Sequence, residues 1–386
     1  CGMRELDVII KKYQELKSQN VRCILATVVH VEGSSYRRAG ARMLVDEYGN
    51  ITGAISGGCL EGDALRKALF ALDRQENKLV TYDTSDEEDA VIGAQLGCNG
   101  IIQVLFEPIN YTAGNNPCEL LKTVAKQEVP MAVSVVFDLD KTQHQQGTVL
   151  VTDENEAVLG QQISNDLQQA LLFKSKEVIN EKASYFAEVT TEEKTHFAFI
   201  QIHQPPVKLI LVGAGNDAQI LAQQADLLGW KVTVTDGRPT HANKERFVGS
   251  CQVIVTKPEE TLKNINIDNR TCFVLMSHNY NYDLSVLKLL LGNSETPYIG
   301  ILGPLKKYER MLNELADEGI EVSKEDLAKI HAPIGLEIGA ETPAEIGLSI
   351  LAEIQSVLTN KGARPLKQKT EPIHDTKQNQ FQKITL

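Results

Sequence analysis

The sequence predicts an α/β protein in which a doubly wound parallel sheet follows an N-terminal α+β domain. Strand-like and helix-like segments alternate from Val207 to about Gly303, which is typical of a parallel sheet covered on both faces. Within that alternation the segment GAGNDA (213–218) joins a strand to a helix and matches the G-x-G-x-x-A turn. The C-terminal part is therefore predicted to be a Rossmann-type domain.

Composition limits the class of function. The chain has 386 residues, of which 42% are hydrophobic, and a formal net charge of −12. Its length and composition are typical of a globular protein of roughly two to three domains. The acidic balance argues against duplex nucleic acid as a partner, and no apolar run approaches the roughly 20 residues that cross a membrane. Because no basic segment followed by an apolar one opens the chain, we expect a cytoplasmic protein.

The order of the elements predicts the domain boundaries. We expect an N-terminal α+β domain over 1–108, a middle α+β segment over 109–204, a Rossmann-type domain over 205–359 and a polar tail over 360–386. The dipeptide Pro205-Pro206 marks the second boundary because neither proline can donate to a strand ladder. The polar composition of the tail predicts that it is mobile.

Hydrophobic periodicity predicts the individual elements. The first domain should contain a helix over 4–19, strands over 23–31, 42–45 and 51–55, a helix after Gly58, and strands over 78–82 and 101–106. The middle segment should contain strands over 131–137, 148–152, 184–189 and 196–202, with a helix over 164–173. The last domain should contain strands over 208–212, 231–235, 252–255, 271–276 and 298–302, with helices over 217–228, 282–291 and 305–318. A capping box at 342–345 predicts the start of another helix.

The glycine turn predicts a site for a phosphate-bearing ligand. Gly213 permits the tight turn, Gly215 lets the backbone approach a phosphate, and the helix that starts near Asp217 favours negative charge. Asp236 ends the next strand, where a carboxylate can hydrogen-bond a ribose hydroxyl. His278 directly follows a buried strand and should face the same crevice, although a purely structural histidine is the alternative. These five residues are candidates for cofactor binding, and NAD(P) is one ligand that would fit.

Two cysteines of the first domain lie between or beside glycines. Cys59 follows Gly57 and Gly58 at a predicted helix start, a position that favours the thiolate, and Cys98 lies within LGCNG (96–100). A buried, inert thiol is the alternative for each. The seven cysteines contain no CxxC pair, so we expect reduced thiols and no disulfide framework. Cysteine catalysis would need a histidine base, and His30 in mid-strand is a weak candidate.

Three arginines add positive charge near these cysteines. Arg37, Arg38 and Arg42 lie in a glycine-containing segment, and guanidinium groups bind phosphate in a bidentate manner. A zinc site is not favoured, because the ligand spacing is too wide.

Seven segments in order resemble the XdhC/CoxI family, the accessory proteins of xanthine dehydrogenase and related molybdenum hydroxylases. They are ATVVHVEGSSYRRAGARMLV (26–45), GAISGGCLEGD (53–63), LGCNG (96–100), LILVGAGNDAQILAQQADLLGWKVTVTDGRP (209–239), VLMSHNYNYD (274–283), YIGILG (298–303) and HAPIGLEIGAETPAEIGLSILAEI (331–354). The resemblance covers nearly the whole chain except the middle segment and the tail. Pro304 departs from the family pattern, in which a serine is expected.

The resemblance implies an accessory protein and not a catalyst. Members of the family are thought to bind molybdenum cofactor (molybdopterin), shield it, assist its sulfuration by a cysteine desulfurase and deliver it to apo-xanthine dehydrogenase or a related molybdenum hydroxylase. Cys59 and Cys98 match the cysteines of the family's GGC and GCxG motifs, which makes them candidate cofactor contacts together with Gly57 and Gly58. By the same resemblance the three arginines would face the pterin phosphate, and a homodimer is expected by analogy.

Other interpretations stay open on the sequence alone. An NAD(P)-dependent oxidoreductase would use the glycine turn, and a thiol-redox protein would pair Cys59 with Cys98. The chain has no iron–sulfur cysteine set and no flavin signature, so we do not expect it to be the hydroxylase itself.

Overall fold

The computed structural model describes residues 3–34, 38–83, 99–192, 194–371, 373 and 380–385, with the backbone alone for residues 34 and 99. The chain divides into two compact units. The Rossmann unit contains Pro206–Pro365 and the start of the chain as far as Arg4, and the two-sheet unit contains Glu5–Pro205 and Leu366–Leu386. The division between the two units falls between Pro205 and Pro206. The predicted first domain and middle segment lie in one unit, and the end of the tail lies with them.

The first sheet of the two-sheet unit is antiparallel, in the order β3-β2-β1-β5-β4. Its elements are α1 (Glu5–Ser18), β1 (Cys23–Ser34), β2 (Arg42–Asp46), β3 (Ile51–Gly53), α2 (Glu61–Arg74), β4 (Lys78–Asp83) and β5 (Asn99–Pro108). Strands β2 and β3 form a hairpin, in which the Asp46 carboxylate accepts hydrogen bonds from the backbone N–H groups of Tyr48 and Asn50 and closes the turn. The apolar side of α1 packs on one face of the sheet and that of α2 on the other.

The second sheet has the order β17-β9-β10-β6-β7-β8. Its elements are α3 (Pro117–Lys126), β6 (Met131–Phe137), β7 (Gly147–Thr152), β8 (Ala157–Leu159), α4 (Asn165–Glu181), β9 (Tyr185–Thr190), β10 (Thr195–His203) and β17 (Gln382–Thr385). The four predicted strands are confirmed. The short strand β8 and the helix α3 were not predicted, and α4 extends well beyond the predicted end of that helix.

The end of the tail is ordered, which corrects the prediction of a mobile segment for this part. Strand β17 pairs in parallel with β9, with Gln382 opposite Ala187. The ring of Phe381 stacks on His30 at a centroid distance of 4.2 Å and also meets Phe186 edge to face. Aromatic packing and a strand ladder together outweigh the polar composition that suggested disorder.

The Rossmann unit has one parallel sheet, in the order β13-β12-β11-β14-β15-β16. Its elements are β11 (Lys208–Val212), α5 (Asn216–Leu227), β12 (Lys231–Asp236), β13 (Gln252–Val255), β14 (Thr271–Leu275), α6 (Tyr280–Leu290), β15 (Tyr298–Ile301), α7 (Leu305–Asp317), α8 (Lys324–Lys329), β16 (Ile330–His331) and α9 (Pro343–Leu358). This is the doubly wound order of dinucleotide-binding folds, with its switch point between β11 and β14. The predicted capping box is present at the start of α9. Helix α8 and the short strand β16 were not predicted.

The cysteines differ in their surroundings. Cys23, Cys118 and Cys272 are buried and free, and burial raises the pKa of the Cys23 thiol to about 11 and that of Cys272 to about 12. These thiols are therefore inert core side chains. Cys251 takes part in a disulfide, so the expectation of reduced thiols is wrong for this residue.

Candidate functional site

The glycine turn lies at the switch point of the Rossmann unit, between β11 and α5. Gly213 has a φ of 122°, and a Cβ atom there would collide with the carbonyl oxygen of Met276, just after β14. The first glycine is therefore required by the close approach of two strand ends. Gly215 is the N-cap residue of α5, and a Cβ there would crowd Asp217 Oδ1 at 2.8 Å.

Asp236 at the end of β12 is buried, and both of its carboxylate oxygens accept hydrogen bonds. Oδ2 accepts from the Ala214 N–H at 2.8 Å and from Arg238 Nη2 at 2.8 Å. Oδ1 accepts from Arg238 N at 2.9 Å and from Arg238 Nε at 3.0 Å. Burial acts to raise the pKa of Asp236, but the hydrogen bonds from Arg238 and from the Ala214 backbone outweigh it, so the pKa is lowered. The carboxylate is ionised and fastens the glycine turn to β12.

His278 and Asp217 are hydrogen-bonded across the mouth of the turn. His278 Nε2 lies 2.7 Å from Asp217 Oδ2, and Asp217 Oδ1 accepts a hydrogen bond from the Ala218 N–H at 2.9 Å. The carboxylate thus stands at the N-terminus of α5, where a ligand phosphate would otherwise be favoured. His278 has a φ of 58°, and its side chain is 58% exposed. It faces the crevice, as the sequence predicted.

Arg246 also contacts the turn, and the sequence analysis missed it. Its Nη1 donates to the carbonyl oxygen of Ala214 at 2.6 Å and to that of His241 at 2.7 Å, and its Nη2 donates to Asn216 Oδ1 at 3.0 Å. Arg246 lies in the connection between β12 and β13, which carries no motif. Only the fold shows that this connection returns to the glycine turn.

The thiol of Cys59 is partly buried in the loop before α2. The hydroxyl of Ser56 accepts hydrogen bonds from the N–H groups of Gly58, Cys59 and Leu60, at 3.2–3.3 Å. Ser56 in turn donates both its hydroxyl and its backbone N–H to the Glu61 carboxylate. Burial acts to raise the pKa of Glu61, but these hydrogen bonds outweigh it and the pKa is lowered. The loop that carries Cys59 is thus braced by a buried serine and an ionised glutamate.

One of the predicted arginines, Arg42, does not lie beside Cys59. Arg42 is buried, and its Nη1 donates to Gln201 Oε1 of β10 at 2.6 Å, on the face of the first sheet that packs against the second. Cys59 packs on the opposite face, with the α2 cluster. Burial lowers the pKa of Arg42 to about 10. Arg38 is exposed at the surface.

Arg37 and Cys98 lie outside the described residues, so their predicted roles stay predictions. Within the described ranges, no group of three or more His, Cys, Asp or Glu side chains is placed to hold a metal ion. In the same part of the chain, no helix combines the length and apolar character needed to cross a membrane.

Comparison with known proteins identifies the family. Two family models match, the XdhC Rossmann domain over residues 209–354 and the XdhC and CoxI family over residues 16–83. The chain is 30% identical over 349 residues to a protein of Bacillus subtilis (strain 168) whose name is that of a probable xanthine dehydrogenase subunit. That match covers 90% of this chain and 95% of the Bacillus subtilis protein. The chain belongs to the XdhC and CoxI family.

Two further proteins are similar to this XdhC and CoxI family member over most of its length. The molybdenum cofactor insertion chaperone PaoD of Escherichia coli (strain K12) is 23% identical, covering 86% of this chain and 83% of that protein. A crystal structure described as a xanthine dehydrogenase from Bacillus halodurans superimposes with a TM-score of 0.71 at 28% identity, covering 95% of this chain and 99% of that one. The predicted α/β class, with a Rossmann-type parallel sheet, is confirmed.

In this member of the XdhC and CoxI family the predicted residues fall into two groups. Gly213, Gly215, Asp217, Asp236 and His278 come together at the glycine turn. The loop of Gly57, Gly58 and Cys59 lies in the other unit.

Proposed function

We propose that this protein binds molybdenum cofactor as cargo, assists its maturation and inserts it into xanthine dehydrogenase or a related molybdenum hydroxylase. The observation that carries the proposal is the Cys59 thiol, held on a braced glycine loop in a chain related over most of its length to a cofactor insertion chaperone. The Bacillus subtilis relative, whose name refers to xanthine dehydrogenase, supports the same class of partner.

The chemistry of the loop suits a molybdenum–sulfur cargo. Cysteine sulfur is a soft ligand, and the partly buried Cys59 offers it without full exposure to oxidants. A Cβ atom at Gly58 would meet no other atom within 4 Å, so the approach beside Cys59 is open in the described part of the chain. Ser56 and Glu61 would keep the Cys59 backbone fixed when cargo arrives, which limits the entropy lost on binding.

The finer parts of the proposal extend this site. Cys98 and Arg37 would complete the contacts of Cys59, and Arg38 would attract the pterin phosphate. We further propose that a cysteine desulfurase supplies sulfur to the bound cofactor, and that the protein acts as a homodimer in the cytoplasm.

Anaerobic binding of isolated molybdenum cofactor tests the proposal. The full chain, Cys59→Ala and the control Cys272→Ala would be incubated with cofactor, passed through gel filtration and assayed for retained molybdopterin. We expect wild-type protein and Cys272→Ala to retain cofactor, and Cys59→Ala to lose most of it while melting at an unchanged temperature. Equal retention by Cys59→Ala and wild type would contradict the role of this thiol, and no retention by wild type would contradict the function.

An NAD(P)-dependent oxidoreductase is the second candidate, favoured by the glycine turn at the switch point. Two contacts count against it. The acid that would bind the ribose, Asp236, already has donors on both oxygens, and Asp217 stands where the pyrophosphate would lie. We therefore expect any dissociation constant for NADH to lie above about 1 mM, so that NADH fluorescence does not change in a titration with the protein. A saturable change at micromolar concentration would revive this candidate.

A further inference from the structure

The Rossmann unit contains a pocket of about 570 Å³ at the carboxyl ends of β14 and β15. Its size lies within the range of small-molecule sites, which is about 300–1,000 Å³. Two nitrogen-bearing side chains line it, His278 after β14 and Lys307 in the first turn of α7. An apolar wall is formed by Leu302, Pro304, Pro333, Ile334 and Ile346.

The imidazole of His278 is held in a fixed orientation by a residue from another loop. Asp217 lies 61 residues earlier, in the first turn of α5, and its Oδ2 is 2.7 Å from His278 Nε2. The carboxylate is itself fixed, because Oδ1 accepts the Ala218 N–H at 2.9 Å. His278 has a φ of 58°, a left-handed conformation that costs a non-glycine residue about 1–3 kcal/mol and is found most often at functional sites.

The second glycine of the turn leaves room for this pair of side chains. A Cβ atom at Gly215 would lie 2.8 Å from Asp217 Oδ1 and 3.7 Å from His278 Cδ2. In dinucleotide-binding folds the corresponding glycine lets the backbone approach a pyrophosphate. Here the space beside the glycine is taken by a carboxylate and an imidazole, so the turn supports an oriented histidine.

One ring nitrogen of His278 remains for a ligand. In a neutral imidazole the nitrogen that bonds a carboxylate carries the hydrogen, so Nε2 donates to Asp217 and Nδ1 keeps its lone pair. No described residue hydrogen-bonds Nδ1, and the side chain is 58% exposed. A carboxylate that orients an imidazole in this way is the arrangement that lets histidine accept a proton in hydrolases.

The charges around the pocket favour a neutral ligand that can release a proton. Lys307 Nζ donates to Asp283 Oδ2 at 2.8 Å and to the Leu302 carbonyl oxygen at 2.9 Å, so its charge is balanced. With His278 neutral, Asp217 leaves one negative charge beside the pocket, which would repel a permanently anionic ligand. A neutral acid that gives its proton to Nδ1 leaves the total charge unchanged, and the imidazolium then lies between two anions.

We propose that this pocket binds a small, largely apolar weak acid with an ionisable O–H or N–H group, and that His278 accepts its proton at Nδ1. The O–H or N–H bond of the ligand breaks, an N–H bond forms on the imidazole, and the ligand anion remains beside the imidazolium. Asp217 acts as a positioning residue, since it touches the imidazole and not the ligand. The inference does not rest on the proposed function, because Cys59 belongs to the other unit.

Titration of the full chain with 4-nitrophenol tests the proposal. The anion of this O–H acid absorbs at a longer wavelength than the neutral phenol, so proton transfer is seen directly. At a pH where free 4-nitrophenol is mostly protonated, we expect a saturable rise in the absorbance of the anion. Phthalimide, an N–H acid, would be tested as a competitor.

Three variants assign the proton transfer to the histidine. His278→Asn removes the proton acceptor but keeps a residue type that tolerates a positive φ. It should abolish the absorbance rise and weaken binding about 10-fold or more. Asp217→Asn favours the wrong tautomer of the ring, so calorimetry should still detect bound phenol while the anion absorbance is lost. The control His241→Asn changes a histidine outside the pocket lining and should alter the Kd less than about 2-fold.

The outcomes decide each part of the proposal. If neither compound binds wild type up to about 1 mM, or if His278→Asn gives the absorbance rise of wild type, the proposal is overturned. Binding of 4-nitrophenol to wild type without anion absorbance would overturn the proton transfer. Competition by phthalimide supports N–H acids as ligands, and its failure to compete would overturn that part.

Discussion

Replacing Gly213 by alanine should destabilise the Rossmann unit strongly. The residue has a φ of 122°, and its new Cβ atom would collide with the Met276 carbonyl oxygen. The backbone conformation alone costs an L-residue about 1–3 kcal/mol, and displacing a strand end in a packed sheet adds about 1–3 kcal/mol. We therefore expect the free energy of unfolding to fall by about 3 kcal/mol or more.

Gly292→Ala is a matched control. Gly292 has a φ of 78°, but a Cβ there would meet no atom within 4 Å among the described residues. The control therefore carries the backbone cost without the collision, and we expect a loss of about 1 kcal/mol. The difference between the two variants isolates the close approach of the turn to β14.

Urea unfolding followed by tryptophan fluorescence measures both variants. Trp230 is the single tryptophan of the chain, and it is buried in the core of the Rossmann unit, so its signal reports the unit that contains both glycines. The free energy of unfolding falls with urea concentration by about 2 kcal/mol/M. The urea concentration at the unfolding midpoint should therefore fall by about 1.5 M for Gly213→Ala and by about 0.5 M for Gly292→Ala. Equal shifts for the two variants would refute the steric argument.

Three further outcomes follow from the contacts. Because the pKa of Asp236 is lowered by folding, its contribution to stability is complete above the unfolded value of about 3.9 and is lost as the pH falls through the folded value. The free energy of unfolding, measured from the tryptophan signal, should therefore fall less with decreasing pH in Asp236→Asn than in wild type. The same pH dependence in both proteins would contradict the stability contribution of Asp236. Phe381→Ala should destabilise the two-sheet unit by about 2–3 kcal/mol, because the ring packs on His30. Circular dichroism would measure this loss of stability, and a loss below about 0.5 kcal/mol would contradict the packing role. Tyr298 donates to Glu353 Oε1 at 2.6 Å. The double variant Tyr298→Phe, Glu353→Gln should therefore lose less stability than the sum of the losses of the two single variants. Strict additivity of these losses in urea titrations would show that the hydrogen bond contributes nothing.

The sequence predicted most of the Rossmann unit because its signals are local. Apolar runs identified β11 and β14, and the GAGNDA segment located the turn. Each of these signals reflects a steric requirement within a few residues, such as the positive φ of Gly213. The crevice position of His278 followed for the same reason, since it closely follows the end of a buried strand.

Contacts between segments that are distant along the chain could not be predicted from the sequence. Nothing near Arg246 indicates that its guanidinium meets Ala214, 32 residues earlier. Asp236 was predicted to hydrogen-bond a ribose hydroxyl. Only the fold shows that its carboxylate accepts hydrogen bonds from Arg238 and from the backbone of the glycine turn. Arg42 was expected to face a phosphate. Alternate residues of a strand face opposite sides of the sheet, and in β2 the Arg42 side chain lies on the buried side.

The pairing of β17 with β9 makes the Rossmann unit an insertion within the other unit. The chain enters it at Pro206, leaves it at Pro365 and then returns to complete the second sheet. A single proteolytic cut between Pro205 and Pro206 would therefore not release a free C-terminal half, since the new fragment would remain bound through its last strand. Joining residue 205 directly to residue 366 would instead remove the Rossmann unit and keep every strand of the second sheet in one polypeptide.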